Sequence, residues 1–321
     1  MFGATFWLGG IRALLAGERQ TGDLLDCLNG LVRSEVLELR RDSRFPADPE
    51  YRFRHALMRE AAYSLLTDED RARSHRIAGE YLERQGETDP VILAEHAYRS
   101  GEKQQAIPHF VRAAERALDG NDLTAALLRT KQGVQCDAQG EQLGALLTLQ
   151  SAAHLWRGEL EAAYDISTTA LALLPEGGTR WCKAMLTLFF VTTYLGKREQ
   201  FSGLVARFRA VSPEPQARAS YTEAAAWLVM MSSFLGKRTL GRSFLDHMYR
   251  ISAALADTGT VSLCTPAASA ASAPRRLGTR AITVRPGRPR AWRTTSATSA
   301  ICGNSLAGTK EPTSISRSPA A

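Results

Sequence analysis

The chain has 321 residues, 44% of them hydrophobic and 23% charged, with a formal net charge of +7. That length suits two ordinary domains, or one short domain followed by a repeat array. The positive charge would suggest nucleic acid, but residues 264–321 hold nine Lys or Arg against the single acid Glu311, a net +8, leaving −1 for residues 1–263. The five cysteines, Cys27, Cys136, Cys182, Cys264 and Cys302, form no CxxC. This pattern suggests neither a disulfide framework nor a zinc knuckle and points to a reducing compartment. No basic n-region precedes the uncharged first 11 residues, so no secretory leader is read there. Two apolar runs, residues 184–196 and 224–236, are 13 residues each, short of the ~20 needed to span a bilayer. The expectation is a cytoplasmic protein with no membrane span.

In chain order, residues 11–16 read as one short apolar turn of helix. Thr21 is a plausible N-cap for a second helix, with Asp23 favourable in its first turn. Leu24, Leu25, Leu28, Leu31 and Val32 fall at helical spacing along it. The period then changes to 2: Val36-Leu37-Glu38-Leu39-Arg40 and Tyr51-Arg52-Phe53-Arg54 read as strands. Pro46 and Pro49 mark residues 42–50 as the connection between them. Helix, helix, strand, loop, strand is the order of a winged-helix unit, closed by a helix over residues 55–66.

Residues 68–263 are almost continuously helical in pattern, with Asp68-Glu69-Asp70 placing acids at a helix start. Gly158 is followed by Ala163, Ala170 and Pro175 at +5, +12 and +17. This spacing predicts a tight turn, a helix whose alanines admit a close neighbour, and a stop. Gly101 repeats the offsets through Ala106 and Ala113; Gly120 keeps only Ala125, and Gly196 only Pro213. Tyr194-Leu-Gly196-Lys-Arg198 and Phe234-Leu-Gly236-Lys-Arg238 match at an offset of 40, and Gly120, Gly158, Gly196 and Gly236 are 38, 38 and 40 residues apart. Such a period signals an α-solenoid of stacked hairpins. Ile107, Phe110, Val111, Ala114 and Leu118 share one stripe and read as packing. Trp156, Tyr164, Trp181, Tyr194, Tyr221 and Trp227 read mostly as core, with a minority available as groove anchors.

Of the 58 residues in 264–321, 38 are Ala, Ser, Thr, Pro or Gly, a composition that cannot offset its ordering entropy by burial. The segment reads as a disordered basic tail, with Trp292 its one aromatic. Its composition is also what a GC-rich gene yields out of frame, and a frameshift from about residue 258 is the expectation; an intact frame on resequencing would end it.

Catalytic signatures are absent: no GxxxxGK[ST], GxGxxG, HExxH, GxSxG, DFG or HRD occurs. The six histidines, His55, His75, His96, His109, His154 and His247, are dispersed, and none sits beside a cysteine at ligand spacing. No catalytic residue and no metal ligand is assigned.

The helix and turn at residues 158–175 resemble the second helix of a tetratricopeptide repeat (TPR). The string Arg52-Phe53-Arg54-His55-Ala56-Leu57-Met58-Arg59-Glu60-Ala61-Ala62-Tyr63 lies between Phe2-Gly3 and Phe6-Trp7 upstream and Arg71-Ala72-Arg73-Ser74-His75-Arg76-Ile77-Ala78 downstream. Together they resemble the winged-helix-to-TPR junction of bacterial STAND-type signalling ATPases, found behind Ser/Thr protein kinase or cyclase domains and in LuxR-like regulators. Leu93-Ala94-Glu95-His96, Ile107-Pro108-His109-Phe110 and Ala113-Ala114 fit the helical sensor region of that group, so the resemblance covers residues 2 to about 255. It implies a mostly α protein: a winged-helix domain (1–67), TPR-like helical repeats (68–263) and the tail. It also implies signal transduction through a protein partner or an upstream ATPase or kinase domain, with ATP or ADP bound by a longer parent and no cofactor in this chain. By the same resemblance His55 would touch a nucleotide phosphate in that parent; a locally hydrogen-bonded junction histidine is the alternative. Since the family's nucleotide-binding core precedes the winged helix, the chain reads as a truncated product. Other readings are part of a Ser/Thr kinase or cyclase, and a winged-helix DNA-binding regulator. The candidate recognition helix carries Asp23 and Asp26 against Arg33, which disfavours specific nucleic-acid contact.

Overall fold

A computed structural model describes residues 1–15, 21–234, 236 and 238–256. The readings made for residues 258–321 lie outside the described residues. The first elements are β1 (Thr5–Trp7), α1 (Leu8–Leu14), α2 (Thr21–Arg33), β2 (Leu37–Leu39) and β3 (Glu50–Phe53). β1 was not expected from the pattern. Thr5, Phe6 and Trp7 are strong strand formers, yet three residues are too few to display a period. β3 is central and antiparallel to both neighbours, with Phe6 opposite Tyr51 and Leu39 on its other side. Thr21 is the first helical residue of α2 and not the residue before it.

One face of the sheet is covered by α2. Phe6, Leu28, Leu37 and Tyr51 are buried there together, and the Phe6 and Tyr51 rings stack at 5.7 Å. The 40–49 connection is fastened to the body and not merely looped. The Asp48 carboxylate accepts the Gly9 amide at 2.8 and 3.0 Å and the Tyr81 hydroxyl. Buried Glu50 accepts the Arg44 amide at 2.9 Å, and the Arg44 guanidinium reaches buried Glu87 at 2.5 Å. Phe45 packs on Trp7, with ring centroids 4.7 Å apart. A core of Trp7, Phe45, Tyr81, Leu82 and Leu93 therefore joins the sheet to the helices that follow, and all described residues belong to one compact unit.

Ten α-helices follow β3 and α3 (Ala56–Ser64): α4 (Asp68–Arg84), α5 (Pro90–Arg99), α6 (Lys103–Asp119), α7 (Leu123–Val134), α8 (Gly140–Trp156), α9 (Leu160–Leu173), α10 (Thr179–Tyr194), α11 (Arg198–Ala210), α12 (Arg218–Phe234) and α13 (Arg238–Ala256). Local chemistry sets their starts. Thr67 caps α4 by accepting the Asp70 amide, above the three acids expected in its first turn; Asp89 caps α5 with Pro90 next; Asp122 caps α7.

The fold is mostly helical and solenoid-like. α6 and α7, α8 and α9, α10 and α11, and α12 and α13 form successive hairpins, while α6, α8, α10 and α12 pack on one another in a row. Gly158, Gly196 and Gly236 turn three of these hairpins at φ of +79°, +67° and +70°. Only a residue that tolerates the left-handed region serves there.

The Gly120 reading needs correction. Gly120 has φ −81°, and the left-handed residue is its neighbour Asn121 at +58°. Asparagine enters this region readily because its short polar side chain bonds locally, so the glycine signal sat one residue early. The close-approach position shifts with it, from half-buried Ala125 to fully buried Ala126. Elsewhere Ala106, Ala163 and Ala170 are fully buried and Ala113 is 3% exposed, with Pro175 just after the end of α9 and Gly101 in the left-handed turn before α6.

Candidate functional site

A cleft of about 770 Å³ opens between the start of the chain, the end of α1, α3 and α4. Its walls carry Phe6, Ile11, Leu14, Phe53 and Leu66, and its polar lining includes Arg59, Tyr63, Arg73, His75 and Arg99.

The polar floor comes from three helices that the connections bring together. His75 on α4 and His96 on α5 are both buried, with their Nδ1 atoms 3.2 Å apart. His96 Nδ1 is also 3.2 Å from the carbonyl oxygen of His75, and His75 Nε2 is 3.1 Å from the Tyr63 hydroxyl on α3. These contacts fix the tautomers. A carbonyl only accepts, so His96 Nδ1 carries the proton and shares it between the carbonyl and His75 Nδ1. His75 must then be protonated on Nε2, where it donates to Tyr63. The tyrosine hydroxyl accepts that bond and keeps its own proton to give.

A proton added to His75 Nδ1 would face the His96 N–H head-on. Burial first, and then repulsion from His96 once that ring is charged, hold the His75 pKa down at about 3. Burial likewise lowers the His96 pKa, against the opposing effect of the bond to the His75 carbonyl. Both rings are neutral near pH 7. Burial and the hydrogen bond to Asp48 push the Tyr81 phenol up.

His55 is the N-cap residue of α3, in extended backbone at φ −123°, as the strand-to-helix reading expected. Its side chain is exposed, makes no capping bond and does not line the cleft. The repeat residues Gly101, Ala106, Ala113, Gly158, Ala163, Ala170 and Pro175 lie in α6 and α9 or their turns, away from the cleft lining. The aromatics divide: Trp181, Tyr221 and Trp227 are core, whereas Trp156, Tyr194 and Phe234 are exposed at the ends of α8, α10 and α12. Among the described residues no group of three His, Cys, Asp or Glu could hold a metal, and no helix is long and apolar enough to cross a membrane.

Sequence reasoning treated each histidine separately and missed the pair. His75 and His96 are 21 residues apart, a separation with no ligand-motif meaning; only the antiparallel packing of α4 and α5 brings them into contact.

α3 is the second feature of this region. None of its residues is buried, and Leu57, Met58 and the following Leu65 are exposed by 77%, 44% and 85%. A helix this apolar usually covers a core; here it meets the body at β3 and, through Tyr63 and Ser64, at His75 and Arg71 of α4.

No family model matches the chain, and none of the curated proteins does. Among solved structures the chain is similar to BtubC (BKLC) from P. vanneervenii, at 15% identity and a TM-score of 0.38, over 69% of this chain and 100% of that one.

Proposed function

We propose that this chain is a non-catalytic protein–protein interaction and signal-sensing region, the winged-helix and TPR-like part of a STAND-type regulatory protein. The order β1, α1, α2, β2, β3 with a three-stranded sheet is compatible with a winged helix, and the hairpins turned at Asn121, Gly158, Gly196 and Gly236 are compatible with TPR-like repeats. The observation that carries the reading is α3, whose Leu57, Met58 and Leu65 are left in water beside a deep cleft. Three large apolar side chains exposed on and just after one short helix support a docking face.

Two measurements test this reading. Calorimetric titration of the chain with Mg-ATP and with ADP is expected to show no binding; micromolar affinity for either overturns the non-catalytic assignment. A photo-crosslinking residue placed at position 57 is expected to give a discrete protein adduct in the native cells. The same residue at exposed position 119, the last of α6, is expected to give none. Equal yields from both positions overturn the docking face.

A further inference from the structure

The cleft itself has no role in the reading above, which uses the outer face of α3. We propose that it binds a small amphipathic anion, a carboxylate carried on an apolar body. Its volume of about 770 Å³ falls within the ~300–1,000 Å³ of small-molecule sites, which are mostly apolar with a few placed polar groups. The walls provided by Ile11, Leu14, Phe53 and Leu66 suit a hydrocarbon or aryl body.

The polar groups select the sign of the head. Arg59, Arg73 and Arg99 face Glu60 and Asp70 around the lining. Glu60 pairs with Arg59 at 3.3 Å, and Asp70, which accepts the Thr67 hydroxyl at 2.7 Å, sits in the first turn of α4, where the helix N-terminus offsets its charge. Arg99 is held by Glu95 at 3.2 Å. Arg73, by contrast, pairs with no acid among the described residues. The His75–His96 arrangement supplies the second donor, because Tyr63 accepts from His75 Nε2 and retains its own O–H proton. A guanidinium and a phenol proton are both donors, and the partner they lack is an acceptor with negative charge. A carboxylate, with two acceptor oxygens and no proton of its own at neutral pH, meets both. A cationic or purely neutral amphiphile would leave Arg73 without a counter-charge.

The test uses the full chain and 8-anilinonaphthalene-1-sulfonate, a fluorescent aromatic anion, as probe. Saturable one-to-one binding is expected, displaced by decanoate and not by decyltrimethylammonium. Arg73→Glu is expected to weaken probe and decanoate about tenfold or more, the effect of losing one charge-assisted contact, with Arg73→Gln intermediate. Tyr63→Phe should weaken both less. Since the probe also stains loosened cores, decanoate must in addition raise the melting temperature of the wild-type chain and not that of Arg73→Glu. Arg73 is exposed, so both substitutions leave the fold intact. Absence of saturable binding, equal displacement by the cationic amphiphile, or unchanged affinity in Arg73→Glu overturns the proposal.

Discussion

Acidification loads the His75–His96 pair selectively. In the unfolded chain a histidine titrates near 6.5, whereas folded His75 holds its pKa at about 3. Below pH 6.5 the unfolded state therefore binds a proton that the folded state refuses, and stability falls as pH falls through the window from about 6.5 to about 3. At 1.36 kcal/mol per pH unit, the loss attributable to His75 is about 2 kcal/mol between pH 7 and pH 5, and about 3 kcal/mol by pH 4. The ring is only 4% exposed, so solvent screening does little to reduce the effect. His96 shifts in the same direction and adds to the slope. The assay is urea unfolding of the wild-type chain and of His75→Gln at pH 7 and pH 5, with amide exchange read on peptides from α4 and α5, because a repeat array need not unfold in one step. Glutamine cannot take up the proton but keeps a donor and an acceptor, so the variant starts less stable yet loses about 2 kcal/mol less on acidification. If wild type and variant lose stability in parallel, to within about 0.5 kcal/mol, the inference that a neutral buried pair occupies this site is refuted.

Asp48→Ala removes the acceptor shared by the Gly9 amide and the Tyr81 hydroxyl; a loss of about 2 kcal/mol is expected in chemical denaturation, the scale of hydrogen bonds to a charged group. Phe208 is fully buried, 4.3 Å from the Tyr221 ring and 5.4 Å from Phe189, so Phe208→Ala should cost about 3–5 kcal/mol, and a cost under about 1 kcal/mol would contradict the packing described. Glycine substitutions should divide by environment. Gly158→Ala has open space but a left-handed backbone and should cost about 1 kcal/mol. Gly133→Ala would set a methyl 2.7 Å from Leu146 Cδ2 and should cost about 1–3 kcal/mol. Gly30→Ala, inside α2 with nothing within 4 Å, should stabilise by up to about 1 kcal/mol; thermal melts decide all three. Leu57→Asp with Leu65→Asp should leave the melting temperature unchanged, since neither side chain is buried.

Helix existence was legible wherever the apolar stripe was long. The Ile107, Phe110, Val111 and Ala114 stripe is buried as expected, because a helix of 17 residues repeats its pattern often enough to be read. Caps were legible only in part: the acids after Thr67 were read as a helix start, whereas Thr21, read as an N-cap, is the first helical residue of α2, and the Asp89 cap before Pro90 was not read. Turns were legible only through glycine, so the substitution of Asn121 displaced the reading by one residue. β1 was missed because a three-residue edge strand owes its existence to Tyr51 and Arg52 across the sheet, not to its own period.

The candidate site was scarcely legible. Arg59, Tyr63 and Arg73 lay in strings noticed for other reasons and Arg99 in none, while His55, the histidine those strings singled out, is exposed and outside the cleft. The sequence by itself determined a mostly helical chain, the hairpin period and the near-neutral charge of residues 1–263. It could do so because propensity, capping and periodicity act over a few residues at a time. Tertiary structure alone decided that residues 40–49 are fastened through Asp48 to Gly9 and through Arg44 to Glu87, and that His75 meets His96. Those outcomes depend on contacts between groups 20 to 45 residues apart, and no local rule relates side chains at such separations until the helices that carry them have packed.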